Sequence, residues 1–255
     1  MQAVTPDRRA LPASFSSRCN VIELRQYTMR PGGRDVLIDL FERVFIEPLE
    51  AAGMTVLGQF HDLDRPDRFV WMRGFPDMVQ RARSLAAFYG GPVWQAHRDA
   101  ANATMVDSDN VLLLRPAHAR SGIALEGRTR LVGAGVRAER IVATISPLRQ
   151  RADAARSALF DSAVAPALAA AGARVIGHYV TETQANTYPR LPVREGENVS
   201  VWLTSFPNDD AYARAQVRLF ASAAWQDAMA RWNGGLAGAP EVLKLAPTPR
   251  SLLRS

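Results

Sequence analysis

Glu23, Arg25 and Tyr27 alternate along the run Val21-Ile22-Glu23-Leu24-Arg25-Gln26-Tyr27, so a strand there puts all three side chains on one face. A carboxylate, a guanidinium and a phenol in a row could supply an acid, a base and an anchor for an oxyanion. Trp71 and Arg73 share a face of a second strand by the same alternation, and His61 ends a third. The catalytic candidates are therefore Glu23, Tyr27 and His61. Arg25, Arg73 and Trp71 are the candidates for holding a substrate, since guanidinium forks suit planar oxyanions. The rival account is structural: an interior Glu23–Arg25 ion pair, or a solvated face that only orders the sheet, with Trp71 as core.

Other chemistry finds little support. Of His61, His97, His118 and His178, neither His61 nor His178 has a histidine or carboxylate at metal-ligand spacing on its own element, so no metal is expected. Asp99 lies two residues from His97, and helical i, i+2 neighbours do not face each other. No glycine-rich dinucleotide motif, P-loop or nucleophile elbow occurs, and no cofactor is expected. Lys244 is the only lysine and falls on a strand, where its stem would snorkel. Cys19, the only cysteine, excludes a disulfide framework within the chain.

Elements must position the candidates. After the first strand, Pro31-Gly32-Gly33 breaks the pattern, and Val36, Leu37, Leu40, Phe41, Val44, Phe45 and Leu49 then recur at helical spacing. Gly53 should cap that helix and Pro48 should kink it. Strands follow at 56–61 and 69–75, then helices at 77–89 and 93–103, and a strand at 111–115. The order β-α-β-β-α-β is the split pattern of ferredoxin-like domains.

The pattern then repeats. At an offset of 119, Leu40, Phe41 and Gly53 meet Leu159, Phe160 and Gly172. From strand three the offset is 131, and Trp71, Trp94 and Asn102 meet Trp202, Trp225 and Asn233. The extra residues fall in one place, the loop 181–198. The reading is a tandem duplication. It comprises an arm at 1–19, a repeat at 20–116, a linker at 117–138, a degenerate repeat at 139–247 and a tail at 248–255. Glu23, Arg25, Tyr27, His61 and Arg73 have Val142, Thr144, Ser146, Val180 and Thr204 as counterparts. The second half has lost the charges and rings, which places any ligand in the first half.

The stretch Glu23-Leu24-Arg25-Gln26-Tyr27-Thr28-Met29-Arg30-Pro31-Gly32 resembles the opening of NIPSNAP-family domains, Glu-Leu-Arg-x-Tyr-x-x-x-Pro-Gly. The helix ending in Glu50-Ala51-Ala52-Gly53, the strand Trp71–Phe75 with Pro76, and Trp94 also fit. The resemblance covers roughly residues 20–116. It implies the dimeric α+β barrel superfamily, which holds cofactor-free monooxygenases, small isomerases, dehalogenases and haem-binding enzymes. The expected fold is α+β, two ferredoxin-like β-α-β-β-α-β repeats whose antiparallel sheets pack into one barrel within the chain.

Composition bounds the function. The chain has 255 residues, 47% hydrophobic and 22% charged, which suffices for a sizeable core. Net charge is +6, but it is carried almost wholly by scattered arginines. That argues against a nucleic-acid partner. No run of about 18 apolar residues occurs, so no membrane partner is expected. The expectation is a cytoplasmic, small-molecule-binding protein, able to form a homo-oligomer, with the possibilities of a cofactor-free enzyme, a non-enzymatic binding or scaffold module, and a haem-binding enzyme left open.

Overall fold

The computed structural model describes residues 8–9, 19–131 and 138–254. The first repeat contributes strands β1 (Val21–Met29), β2 (Thr55–Asp62), β3 (Arg68–Phe75) and β4 (Met105–Pro116). The second contributes β5 (Arg140–Pro147), β6 (Arg174–Thr181), β7 (Val199–Phe206) and β8 (Glu241–Pro247). All eight close into one antiparallel barrel in the order β8-β2-β3-β1-β4-β6-β7-β5. Each half supplies four adjacent strands in the ferredoxin-like order. Two barrel seams join the halves: Leu114–Pro116 of β4 against Thr181–Tyr179 of β6, and Leu245–Pro247 of β8 against Asp62–Phe60 of β2. Closure removes the edges that each four-stranded sheet would otherwise expose.

Each half lays its helices over the outside of its own strands. In the first half these are α1 (Gly33–Leu40), α2 (Ile46–Ala51), α3 (Met78–Tyr89) and α4 (Pro92–Asn102). The second half has α5 (Ala154–Leu159), α6 (Ala165–Ala170), α7 (Asp209–Ala221) and α8 (Ala223–Asn233). A five-residue π-turn joins α1 to α2 at Phe41–Phe45 and α5 to α6 at Phe160–Val164. The helix distortion expected at Pro48 thus lies upstream of it, as it does upstream of Pro166. Gly53 and Gly172 end these helices at φ 94° and 97°, the left-handed region that glycine reaches without strain.

Strand β1 is buried on both faces, which rules out the solvated face considered for Glu23, Arg25 and Tyr27. Ile22 and Leu24 point into the barrel, whereas Val21, Tyr27 and Met29 pack beneath the first half's helices. The polar residues of the alternation therefore face a covered interior, not water. A β-bulge at Gly58 sets the phase of β2, and Gly177 does the same in β6. A Cβ on Gly58 would come 2.3 Å from the Phe60 ring, and one on Gly177 would come 2.7 Å from that of Tyr179, so these rings fold back over bare backbone. Strand β4 begins six residues before the expected 111, where Asp107 and Met105 pair with Thr28 and Met29 of β1.

The segments between and after the repeats close the ends of the barrel. Ile123 and Leu125 are buried, and the Tyr179 hydroxyl accepts the Ile123 amide at 2.8 Å. Thr248, Ser251, Leu252 and Leu253 are also buried, with Leu253 N–H bonded to Leu57 O and Thr248 N–H to Gln59 O. Cys19 sits under the same core, its sulfur against Gly74, and burial pushes its thiol up to about 11. Of the arm, Arg8–Arg9 pairs with Arg130–Leu131. The rest of the expected arm, and residues 132–137 of the expected linker, lie outside the described residues.

Candidate functional site

Register builds the site. On β1 and β3, Glu23 faces Arg73, Arg25 faces Trp71, and Tyr27 faces Phe69. Directly opposed residues of an antiparallel pair hold their side chains within contact range. The Glu23 carboxylate accepts from Arg25 Nη1 at 2.6 Å and from Arg73 Nε at 2.7 Å on one oxygen. Arg73 Nη2 also approaches that oxygen at 2.7 Å. The other oxygen accepts from Arg81 Nε of α3 at 2.7 Å. None of the four side chains exceeds 1% exposure.

Burial alone would raise the Glu23 carboxyl. The guanidiniums of Arg73, Arg25 and Arg81 outweigh it and hold Glu23 well below the usual carboxylate range. Glu23 is therefore fixed as an anion. Three guanidiniums against one carboxylate leave net positive charge in the interior.

That charge is directed at two phenols. Arg25 Nε donates to the Tyr27 hydroxyl at 2.8 Å, and Arg73 Nη1 donates to the Tyr89 hydroxyl at 3.3 Å. Burial raises the Tyr27 phenol above its ordinary value, with Arg25 opposing. Tyr27 is thus a neutral phenol at pH 7, accepting from Arg25 and keeping its own proton to donate. Both tyrosines line a narrow pocket of about 40 Å³ under the helices, together with Leu37, Phe41, Phe45, Leu49, Trp71, Phe88, Trp94, Ala101 and Met105. It has room for a few water molecules, so a larger ligand would enter only as rings move aside. No histidine lines it. The Trp71 indole N–H has no hydrogen-bond partner although it is buried.

The candidates named from sequence separate into three places. Glu23, Arg25 and Arg73 meet in the charged cluster. Tyr27 and Trp71 line the pocket beside it. His61 stands apart near the surface, its Nε2 3.2 Å from Asp35 Oδ1. Burial and Arg34 pull its pKa down. Arg81 and Tyr89 escaped the sequence reading because they lie on a helix. Arg81 did leave a signal: it shares the buried face of α3 with Met78, Leu85 and Phe88.

The second half shows the same frame with a different filling. Trp202 is buried as Trp71 is, at 3% and 2% exposure. Trp232 stands at the offset position of Ala101 and is fully buried, its ring 5.3 Å from that of Trp202 and 6.1 Å from that of Phe160. Its Nε1 donates to Ser146, the counterpart of Tyr27, at 3.3 Å. An indole from the helix therefore occupies the space that corresponds to the first half's pocket.

His178 stands at the offset position of Gln59, stacked on Phe160 at 3.9 Å and 2.9 Å from the Ser200 hydroxyl. Burial pushes its pKa down to about 4. The unfolded chain, with an ordinary histidine near 6.5, then binds the extra proton as pH falls from about 6.5 to 4. His178 should accordingly withdraw up to about 3 kcal/mol of stability across that window. His178→Gln, which installs the first half's residue, should flatten the fall in urea-unfolding free energy between pH 7 and pH 5. An unchanged slope would refute this.

Comparisons with known proteins agree with the fold. The NIPSNAP family model matches residues 22–119. A candidate monooxygenase from Lactobacillus acidophilus NCFM is similar in structure over 90% of this chain and 94% of its own, at 12% identity and a TM-score of 0.55. An anthrone oxidase-like protein is similar over 89% and 91%, at 14% identity and a TM-score of 0.54. An uncharacterized NIPSNAP-like domain protein from Burkholderia xenovorans covers 41% of this chain and 90% of its own, at 26% identity and a TM-score of 0.37. No functionally curated protein matches the chain in sequence. Among the described residues, no helix is long and apolar enough to cross a membrane, and no three metal-ligating side chains gather. Within this α+β barrel, the part that the NIPSNAP family model matches is the first half, residues 22–119.

Proposed function

We propose that the protein binds a small, flat, largely apolar molecule in the first-half pocket and stabilises negative charge on one of its oxygens. The observation that carries this reading is the backing of Tyr27 by Arg25 at 2.8 Å, within a cluster of three guanidiniums and one carboxylate. A phenol held by a guanidinium is a strong donor toward an enolate or phenolate oxygen, and its apolar surroundings strengthen that bond. Holding such an oxyanion is the step shared by cofactor-free oxygenases and small isomerases. The fold relatives described as a monooxygenase candidate and as anthrone oxidase-like are consistent with it. In this reading Tyr27 is the acid, and Arg25 and Arg73 set the charge around it. Glu23 anchors them and has no role as a base, since its lone pairs are committed. Tandem duplication accounts for the pair of halves, with the second retained as scaffold.

The chain has five tryptophans, so its indole N–H resonances give five local reporters. With 1-naphthol as probe, the Trp71 and Trp94 resonances should shift, and those of Trp202, Trp225 and Trp232 should not. Tyr27→Phe should weaken binding of this neutral probe by up to about tenfold, the worth of one hydrogen bond. Shifts confined to the second-half indoles, or full affinity in Tyr27→Phe, would overturn the reading. Mass spectrometry of small molecules carried through purification from the native host would then identify the natural ligand.

A further inference from the structure

The residues that break the match between the halves reach into the other half. In the first half, β2 and β3 are joined by a five-residue turn, Leu63–Asp67. The corresponding connection in the second half, residues 182–198, is far longer and leaves β6 to lie against the first half. Glu182 N–H bonds to Leu113 O at 2.9 Å and Arg194 N–H to Val111 O at 2.8 Å, fixing both ends of the loop to β4. Tyr188, Leu191 and Val193 pack against the first half's helix-side core.

Between those ends the loop reaches the charged cluster and the pocket wall. Asn186 Oδ1 accepts from Arg81 Nη1 at 2.9 Å, and Thr187 Oγ1 lies 3.2 Å from the same nitrogen while donating to Met78 O at 3.1 Å. Asn186 is held in turn by its amide N–H to Glu195 and its Nδ2 to Leu191 O. Arg81 is thereby clamped, with Glu23 on one side and the loop on the other. One residue on, the Tyr188 ring stacks on that of Tyr89 at 6.2 Å and 27°. Tyr89 is the pocket residue whose hydroxyl accepts from Arg73. A turn of five residues suffices to connect these strands, as the first half shows. The additional length makes contacts with Arg81 and Tyr89 instead.

We propose that loop 182–198 is a specificity element supplied by one half to the binding site of the other, with Asn186 and Tyr188 as its positioning residues. Tyr188 holds the Tyr89 ring against the pocket and so limits the width of ligand that enters. Asn186 fixes Arg81, and through Glu23 the guanidiniums behind the two phenols. The proposal rests on the pocket reading above.

Tyr188 is half-buried on a loop, so its replacement should leave the barrel intact. The test compares phenol and 1-naphthol as one-ring and two-ring probes, read at the Trp71 and Trp94 indole resonances. Tyr188→Ala should shift the affinity ratio toward 1-naphthol by about tenfold, and Tyr188→Phe, which keeps the stacking ring, should retain the wild-type ratio. Asn186→Ala should weaken both probes without changing their ratio. An unchanged ratio in Tyr188→Ala, with probes still bound in the first half, would overturn this proposal alone. Absence of either probe from the first half of the wild-type protein would defeat the pocket reading, and this proposal with it.

Discussion

Glu23→Ala is expected to abolish the folded state at neutral pH. The substitution leaves Arg25, Arg73 and Arg81 buried with their shared counter-charge removed. Removing one partner of a single buried ion pair costs about 3–5 kcal/mol, and here one carboxylate serves three partners. Total stability of such a domain is of order 5–15 kcal/mol. Glu23→Gln keeps the shape and one acceptor oxygen, so it should fold, with a large loss. The pH dependence follows from the direction of the shift. The folded-state pKa of Glu23 is depressed, so its contribution is fully present above about pH 4.3, the ordinary carboxylate value, and is lost as pH falls toward the folded value. Circular dichroism and urea unfolding between pH 7 and pH 3 check both statements. A Glu23→Ala protein within about 1 kcal/mol of wild type would show that the guanidiniums are neutralised by something else.

Trp232→Ala should cost about 3–5 kcal/mol, the range for emptying a large aromatic site in a core. The indole fills the space against Phe160, Trp202 and His178, and the Arg156 guanidinium lies over its face at 4.1 Å. Its removal also leaves the buried Ser146 hydroxyl without that donor. Urea unfolding measures the loss, and a change below about 1 kcal/mol would mean that the second half collapses to fill the gap. The comparison with the first half is direct. There the bulky ring stands on the strand, as Tyr27, and the helix position holds Ala101. Exchanging which element carries the ring separates a lined pocket from a filled one.

Element types, their order and the recurrence of the pattern were legible because each depends on local periodicity. Trp71 and Trp202 could be matched from spacing alone. The alternation of Glu23, Arg25 and Tyr27 gave the shared face but not its surroundings. Polar residues at period two ordinarily mark water, and only the helices packed over β1 show that this face is dry. Arg81 was hidden because a helix face is read from its majority, and one arginine among Met78, Leu85 and Phe88 does not change that. Contacts made across the chain left no local trace. Thr248 donates to Glu42 at 2.5 Å over 206 residues, and Asn186 reaches Arg81 over 105. Segments 117–131 and 248–254 therefore look unpatterned in sequence while they close the barrel in space.

The β8–β2 seam also orders events during synthesis. The edge of β2 emerges from the ribosome early, yet its partners are Leu245–Pro247 and the backbone from Thr248 to Leu253. At roughly 5–20 residues per second, the nascent first half waits on the order of ten to forty seconds for them. Through that interval the β2 edge and the apolar lining at Leu57 and Phe60 lack their final cover. An unpaired strand edge and exposed apolar surface are what make a nascent chain aggregation-prone, and any delay before residue 245 lengthens that exposure.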